Sequence, residues 1–145
     1  MVTDFDHIVK KLPYEKPFLF VDGITHVSDD SIEGHFTFDP KQDFYRGHFK
    51  GNPVTPGVIL TETMAQIGVV CLGIHLLGDS LNDTTKIALS SIEVEYLKPV
   101  FPGEKVIVTG KKIYFRFGKL KCTVSMRNTA GQEVCHGSIA GIITD

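Results

Sequence analysis

The sequence predicts a single α+β domain in which an antiparallel sheet packs against one long helix. The helix is indicated by the long apolar segment 57–78, GVILTETMAQIGVVCLGIHLLG. Strands are indicated by shorter segments that alternate between apolar and polar residues, and the later ones follow each other closely enough to pair as antiparallel neighbours. At 145 residues the chain has the length of one domain, residues 1–145, and can bury a sizeable core.

Composition and charge exclude several classes of protein. Hydrophobic residues make up 42% and charged residues 22% of the chain, which is typical of a folded globular protein and not of a disordered one. The formal net charge of −2 gives no reason to expect nucleic acid or an anionic membrane as a partner. Three cysteines without a C-x-x-C spacing, and a first segment without the pattern of a signal peptide, favour reduced thiols and a cytoplasmic location.

The first predicted element is a short amphipathic helix over residues 3–12. Thr3 or Asp4 is its expected N-cap, and Pro13 ends it. The predicted strands have apolar alternation or lie between turn residues, with turns expected at Asp29–Asp30 and Ala130–Gly131. These strands are 18–28, 31–38, 86–97, 104–117, 120–128 and 133–144.

The long helix is predicted to begin with Thr55 as N-cap and Pro56 as its first helical residue, and to run to about Gly78. Apolar side chains lie on almost every side of it, so it is expected to be buried. A carboxylate in the middle of a membrane span is expensive, and Glu62 therefore favours a core helix over a span.

Glu62 and Gln66 are four residues apart and lie on one face of this helix. A buried carboxylate has to be paired, hydrogen-bonded or neutral, because a bare buried charge costs several kcal/mol. The alternative is that Glu62, in the second turn, is stabilised by the helix dipole and keeps contact with solvent. The helix position alone leaves both interpretations open.

The tripeptide Gly-His-Phe occurs twice, at 34–36 and at 47–49. In the first copy the apolar side of the strand includes its glycine and phenylalanine, so His35 points to the polar side, where a histidine is usually solvated. In the second copy the alternation has stopped, and His48 lies in a glycine-flanked loop leading into the long helix. Loops on a rigid scaffold often carry chemistry. The spacing therefore suggests a base at His48 and an acid at Glu62.

Three segments, LPYEKPFLFVD, RGHFKGNPVTPGVILTETMAQ and YLKPVFPGE, resemble the (3R)-hydroxyacyl-acyl-carrier-protein dehydratases of the FabZ type. The similarity runs from Leu12 to the C-terminus. It implies a hot-dog fold, in which an antiparallel sheet wraps around one long central helix. It also implies a homodimer in which His48 of one subunit faces Glu62 of the other, with hexamers of three dimers as the larger assembly. The related FabA-type dehydratase-isomerases carry Asp at the position of Glu62, which argues for dehydration without isomerisation.

The resemblance implies loss of water from a β-hydroxyacyl thioester carried on the phosphopantetheine of an acyl carrier protein. A histidine that titrates near neutrality suits removal of the C2 proton, and we assign this to His48. A carboxyl group with a raised pKa suits protonation of the C3 hydroxyl, and we assign this to Glu62. An N–H at Gly57 would donate to the thioester oxygen, and Gln66 would orient Glu62. No metal or other cofactor is expected, because no H-x-x-x-H or carboxylate cluster offers a site.

Carrier proteins are acidic, so lysines near the site are expected to steer them, and Lys50 and Lys98 are the candidates. Several other positions depart from the FabZ pattern and bear on the acyl pocket and the carrier contacts. They favour an enzyme of a polyene pigment or other secondary pathway over one of bulk fatty-acid synthesis. Together with Lys50, the departing positions are Tyr14, Glu15, Asn52, Thr55 and Ser90.

Two other functions share this fold class. A hot-dog thioesterase would use a helix carboxylate but hydrolyse the thioester, and the His48 loop ahead of Glu62 argues against it. A non-catalytic acyl-binding or dimerisation subunit would have no reason to keep both residues. Product analysis separates water loss from thiol release.

Overall fold

The computed structural model describes residues 5–144. Its principal helices are α1 (Asp6–Lys10), α2 (Gly57–Ala65) and α3 (Cys71–Leu77), with a π-helical turn (Gln66–Val70) joining the last two and 3₁₀ turns at Asp43–Arg46 and Gly78–Ser80. The strands are β1 (Gly23–Val27), β2 (Ser31–Thr37), β3 (Lys86–Tyr96), β4 (Lys105–Arg116), β5 (Lys119–Asn128) and β6 (Glu133–Thr144).

The six strands form one sheet in the order β1-β2-β4-β5-β6-β3, and every neighbouring pair is antiparallel. The segment α2–π turn–α3, called the central helix below, packs against one side of this sheet and supplies much of the core. The predicted α+β, hot-dog architecture is confirmed. The four C-terminal strands lie within a residue or two of their predicted bounds because their alternation is regular.

The first predicted strand, 18–28, is wrong in its first half, since only Gly23–Val27 joins the sheet. For Phe18 and Phe20, which precede β1, the side chain of Gln66 supplies the hydrogen-bond partners that a neighbouring strand would otherwise supply. Its Oε1 accepts a hydrogen bond from the Phe20 N–H at 2.8 Å, and its Nε2 donates to the Phe18 carbonyl at 3.0 Å. These backbone groups are therefore satisfied by the central helix and not by the sheet. The first helix is Asp6–Lys10, and its expected cap at Thr3 or Asp4 lies outside the described residues.

The predicted start of the long helix is also wrong. Pro56 is the N-cap and Gly57 the first helical residue, without a side-chain cap. The hydroxyl of Thr55 instead pairs with that of Tyr45. Val58 is 73% exposed, so the helix is not buried on every side at its first turn. Between Gly57 and Ser80 it is long and apolar enough to cross a membrane, yet 78% of its most apolar window is buried inside the protein, as in a core helix.

A glycine pair sets the distance between the central helix and the sheet. A Cβ at Gly110 of β4 would lie 2.5 Å from the Gly68 carbonyl oxygen and 2.7 Å from the Gly68 Cα, so only glycine fits there. Gly68 belongs to the π turn, which directly follows the segment that carries Glu62. The contact therefore holds the acid-bearing helix against the sheet.

Candidate active site

Glu62 lies half-buried on α2, and its environment differs from that of an ordinary surface carboxylate. Its Oε2 accepts a hydrogen bond from Nε2 of Gln66 at 2.9 Å. Gln66 is fully buried and also holds the backbone at Phe18 and Phe20. Burial raises the pKa of Glu62, and the hydrogen bond from Gln66 opposes this rise in part. The carboxyl group is thus both fixed in position and biased toward its protonated form.

His48 lies in the loop that precedes α2, and its ring is held on two sides. Nδ1 is 3.0 Å from the Val54 carbonyl oxygen, and the ring stacks on Phe49 with centroids 4.2 Å apart. The peptide bond between His48 and Phe49 is cis. Because a carbonyl oxygen can only accept, Nδ1 carries the proton in the neutral ring. Nε2 is then left with a free lone pair, which is the form that a general base requires.

His48 and Glu62 are not bonded to each other within the described chain. No hydrogen bond or ion pair joins them in the structure of residues 5–144. His35 lies inside the sheet and not in a loop, because it pairs in register with Gly23 of β1 and Ile107 of β4. Its ring lies over Gly23, where a Cβ would be 2.9 Å from Nε2. Of the two Gly-His-Phe copies, only the second therefore lies in the loop that leads into α2.

The first turn of α2 presents unused donors. Its first backbone hydrogen bonds run from Ile59 and Leu60 to the Pro56 carbonyl, so within the described part of the chain the N–H groups of Gly57 and Val58 have no acceptor. Beside them is a cleft of about 380 Å³. Its lining is Thr55, Gly57, Leu60, Tyr96, Leu97, Lys98 and Pro99. The predicted oxyanion donor and one of the two predicted carrier contacts therefore share one cleft, while Lys50 is exposed in the His48 loop.

Residues 12–134 match the family described as FabA-like domain. This range is most of the chain and leaves out α1 and all of β6 after its first two residues. The chain belongs to this family. It is similar to the 3-hydroxyacyl-[acyl-carrier-protein] dehydratases FabZ of Ehrlichia chaffeensis, with 30% identity over 99% of this chain and 90% of that one, and of Wolbachia pipientis, with 31% identity over 100% and 99%. The FabZ of Geobacter metallireducens is 37% identical over 72% and 70%.

Solved structures support the fold of this FabZ-like chain. The fluoroacetyl-CoA thioesterase FlK superposes with a TM-score of 0.65 at 14% identity, over 83% of this chain and 89% of that one. A hypothetical thioesterase with coenzyme A from Streptococcus pneumoniae gives 0.63 at 15%, over 83% and 84%. At such identities the likeness shows the shared fold alone.

Sequence reasoning missed two tyrosines at the site of this FabZ-like protein. Tyr14 is half-buried, and burial, followed by the charge of Glu62, raises its pKa to about 12, so its hydroxyl keeps its proton at neutral pH. Tyr96 reaches the first turns of α2 from the edge strand β3. Tyr14 was visible only as a departure from the FabZ pattern. Tyr96 could have been found from its strand, because it alternates with Ile92 and Val94 toward the helix.

The described residues offer neither a metal site nor a reactive thiol. In residues 5–144 no group of three or more His, Cys, Asp or Glu side chains is arranged to hold a metal ion. The three cysteines are buried and free, and burial raises the pKa of each thiol. They are therefore unreactive core residues.

Glu62→Gln is expected to stabilise this FabZ-like fold more at neutral than at acidic pH. The folded-state pKa of Glu62 is raised above 4.5, so between that value and the folded-state pKa the folded protein binds more protons than the unfolded chain. Its free energy of unfolding accordingly falls as pH rises through this window. The variant lacks the charge but keeps an acceptor for Gln66, so its Tm advantage should grow from pH 4 to pH 7. Thermal unfolding at pH 4 and pH 7 measures the difference in Tm between the variant and wild type, with the exposed Glu15→Gln as control. The same difference at both pH values would contradict the prediction.

Proposed function

We propose that the chain dehydrates (3R)-hydroxyacyl chains carried on an acyl carrier protein, giving the trans-2-enoyl product. One observation supports this more than any other. The loop histidine and the helix carboxyl lie within the matched region, with a free Nε2 on His48 and a pKa raised by burial on Glu62. A base that accepts and an acid that keeps its proton are the pair that elimination of water requires. The FabZ names of its relatives point to the same reaction.

The proposed reaction uses protein groups only. Nε2 of His48 removes the proton at C2, and the electron pair forms the C2–C3 double bond. The C3–O bond breaks as Glu62 gives its proton to the hydroxyl, which leaves as water. The free N–H at Gly57 donates to the thioester oxygen as it gains charge. The substrate arrives on phosphopantetheine, and neither a metal nor a second cofactor takes part.

The site is proposed to be completed by a second copy of the chain. The strand β3 is an unpaired edge of the sheet, although it is long and apolar. Leu89, Ile92 and Tyr96, on its helix-facing side, are 41%, 48% and 50% exposed, although Tyr96 also contacts the first turns of α2. Pairing of two such edges would cover these side chains. A homodimer would also fit the absence of a hydrogen bond or ion pair between His48 and Glu62 among the described residues of one chain. Assembly into hexamers is part of the proposal.

The acyl chain is proposed to enter a cleft of about 590 Å³ beside α2. Phe18, Phe20, Phe36 and Phe44 line it together with Ile59, which lies one turn before Glu62 on the same side of the helix. Charged residues line the same cleft, namely Lys16, Asp22, Asp39, Lys41 and Asp43. The flat aromatic side chains suit a rigid conjugated chain at least as well as a flexible saturated one. The aromatic part of the lining supports a role in polyene or other secondary lipid synthesis, and a cytoplasmic location is part of the same proposal.

Lys50 and Lys98 are proposed to steer the acidic carrier. Lys98→Glu and Lys50→Glu should each raise KM for the carrier-bound substrate by about 3–10-fold at low salt, because charges at an interface rim act mainly on association. KM for the same acyl group on pantetheine should not change. Lys10→Glu on α1 is the control. Equal effects on both substrates would show that the lysines do not contact the carrier.

The experiment that tests the function follows enoyl product and free thiol with β-hydroxyacyl chains on a carrier protein. Enoyl product without thiol release is expected. Thiol release would favour a thioesterase, and absence of both products a binding subunit. A higher kcat/KM for conjugated than for saturated chains is expected if the pathway makes polyenes, and equal values would contradict that finer assignment.

A further inference from the structure

Tyr96 makes two contacts with the start of the central helix that the proposed reaction does not use. Its hydroxyl pairs with the hydroxyl of Thr61. Its ring lies over Gly57, where a Cβ would be 3.2 Å from ring atoms Cε1 and Cζ. Tyr96 is the last residue of β3, opposite Cys135 of β6, so its side chain faces the helix. One edge-strand side chain thus touches the helix at two points one turn apart.

These contacts matter because the first turn of α2 is otherwise weakly held. No side chain caps it, and its first backbone hydrogen bonds both end on the Pro56 carbonyl. Uncapped helix ends fray, since their N–H groups lack partners. Thr61 is only 7% exposed and directly precedes Glu62. A bond at Thr61 and a ring against Gly57 therefore restrain both ends of the segment that carries the free N–H and the carboxyl group.

We propose that Tyr96 is a positioning residue that takes the place of a helix cap, holding the first turns of α2 so that the Gly57 N–H and the Glu62 carboxyl keep their relative positions. The inference rests on the proposed dehydration. Tyr96 itself touches neither C2 nor C3 of the substrate in this scheme. A Cβ at position 57 would press on this ring, so the ring and the first turn of α2 are in close contact. The ring and the hydroxyl have separable effects, which makes the inference testable.

The test compares Tyr96→Phe, Thr61→Val and the double variant with wild type. Tyr96→Phe keeps the ring and Thr61→Val keeps the shape, so each removes only the hydroxyl pair. We expect each to lower kcat for dehydration about 10-fold with less than a 2-fold change in KM. A misplaced donor reduces the stabilisation of the transition state but leaves substrate binding unchanged. The double variant should be no worse than either single one, since all three lack the same bond. Tyr114→Phe, on β4, is the matched control.

Amide hydrogen exchange gives a readout that is independent of activity. The N–H groups of Ile59 and Leu60 should exchange faster in Tyr96→Phe than in Tyr114→Phe, while those of α3 remain unchanged. Wild-type kcat in both single variants, a change in KM alone, unchanged exchange, or multiplicative losses in the double variant would each overturn the inference. Wild-type protein that does not dehydrate any substrate would instead overturn the proposed function, and the positioning role with it.

Discussion

His48→Ala and Glu62→Gln are each expected to lower kcat/KM for water loss by about 10²–10⁴-fold, because each removes one participant in proton transfer. Glu62→Gln keeps the size of the side chain and an acceptor for Gln66. The fall in kcat/KM of this variant therefore reflects the missing proton and not a change in packing. His35→Ala, in the other Gly-His-Phe copy, should remain near wild type, since its ring lies over the strand residue Gly23. Initial rates of enoyl formation measure all three.

Mixing the two inactive variants tests whether the site is shared. Random exchange of subunits makes half of the dimers mixed, and each mixed dimer carries one site with both His48 and Glu62. Activity should therefore return to about a quarter of the wild-type value per chain. No recovery, with subunit exchange confirmed by mass, would show that both residues act within one chain and would contradict the shared site.

Gly110→Ala is expected to destabilise the fold by about 3 kcal/mol, a fall in Tm of about 10 °C. The added Cβ would lie 2.5–3.0 Å from the oxygen, Cα and carbonyl carbon of Gly68. These are backbone atoms in the middle of the central helix, so neither a rotamer change nor a side-chain shift can relieve the contact. Thermal unfolding at neutral pH gives the comparison.

Gly73→Ala, in the central helix that Gly110 packs against, is the control. A Cβ there would meet Leu120, Ile87 and Ile143 side chains at 3.5–3.9 Å, which is ordinary van der Waals contact. Because alanine favours helix over glycine by about 1 kcal/mol, this change should leave Tm unchanged or raise it. A Tm for Gly110→Ala equal to that of Gly73→Ala would show that the helix and β4 can separate freely at this contact.

The fold was predictable wherever an element follows from the local pattern of apolar and polar residues. The strands after residue 85 alternate regularly, and the central helix is the longest apolar segment, so both were found. The first half of the strand predicted at 18–28 failed because Gln66, 46 residues from Phe20, satisfies its backbone, which no local pattern shows. The N-cap at Thr55 failed for a similar reason, since its hydroxyl is taken by Tyr45. The π turn also has no signature in the apolar pattern.

The candidate site was predictable where residue type decides the chemistry. His48 and Glu62 were singled out from loop position and helix face, and Gln66 from its spacing to Glu62; the structure adds the contacts that give them their chemical state. Their catalytic roles remain predictions. Tyr14 and Tyr96 were missed because their importance comes from the central helix, which is distant in sequence. The charge of Glu62 acts on Tyr14, and Gly57 lies against the ring of Tyr96.

The amide of Gln66 joins the acid on the helix to the backbone before β1. When Glu62 gains or loses its proton, the strength of its bond to Nε2 changes, and the bond from the Phe20 N–H to the other end of the same amide changes with it. The Phe20 amide is thus a built-in spectroscopic probe of the acid. Its proton chemical shift, followed across a pH titration, would report the charge on Glu62 without any label at the site.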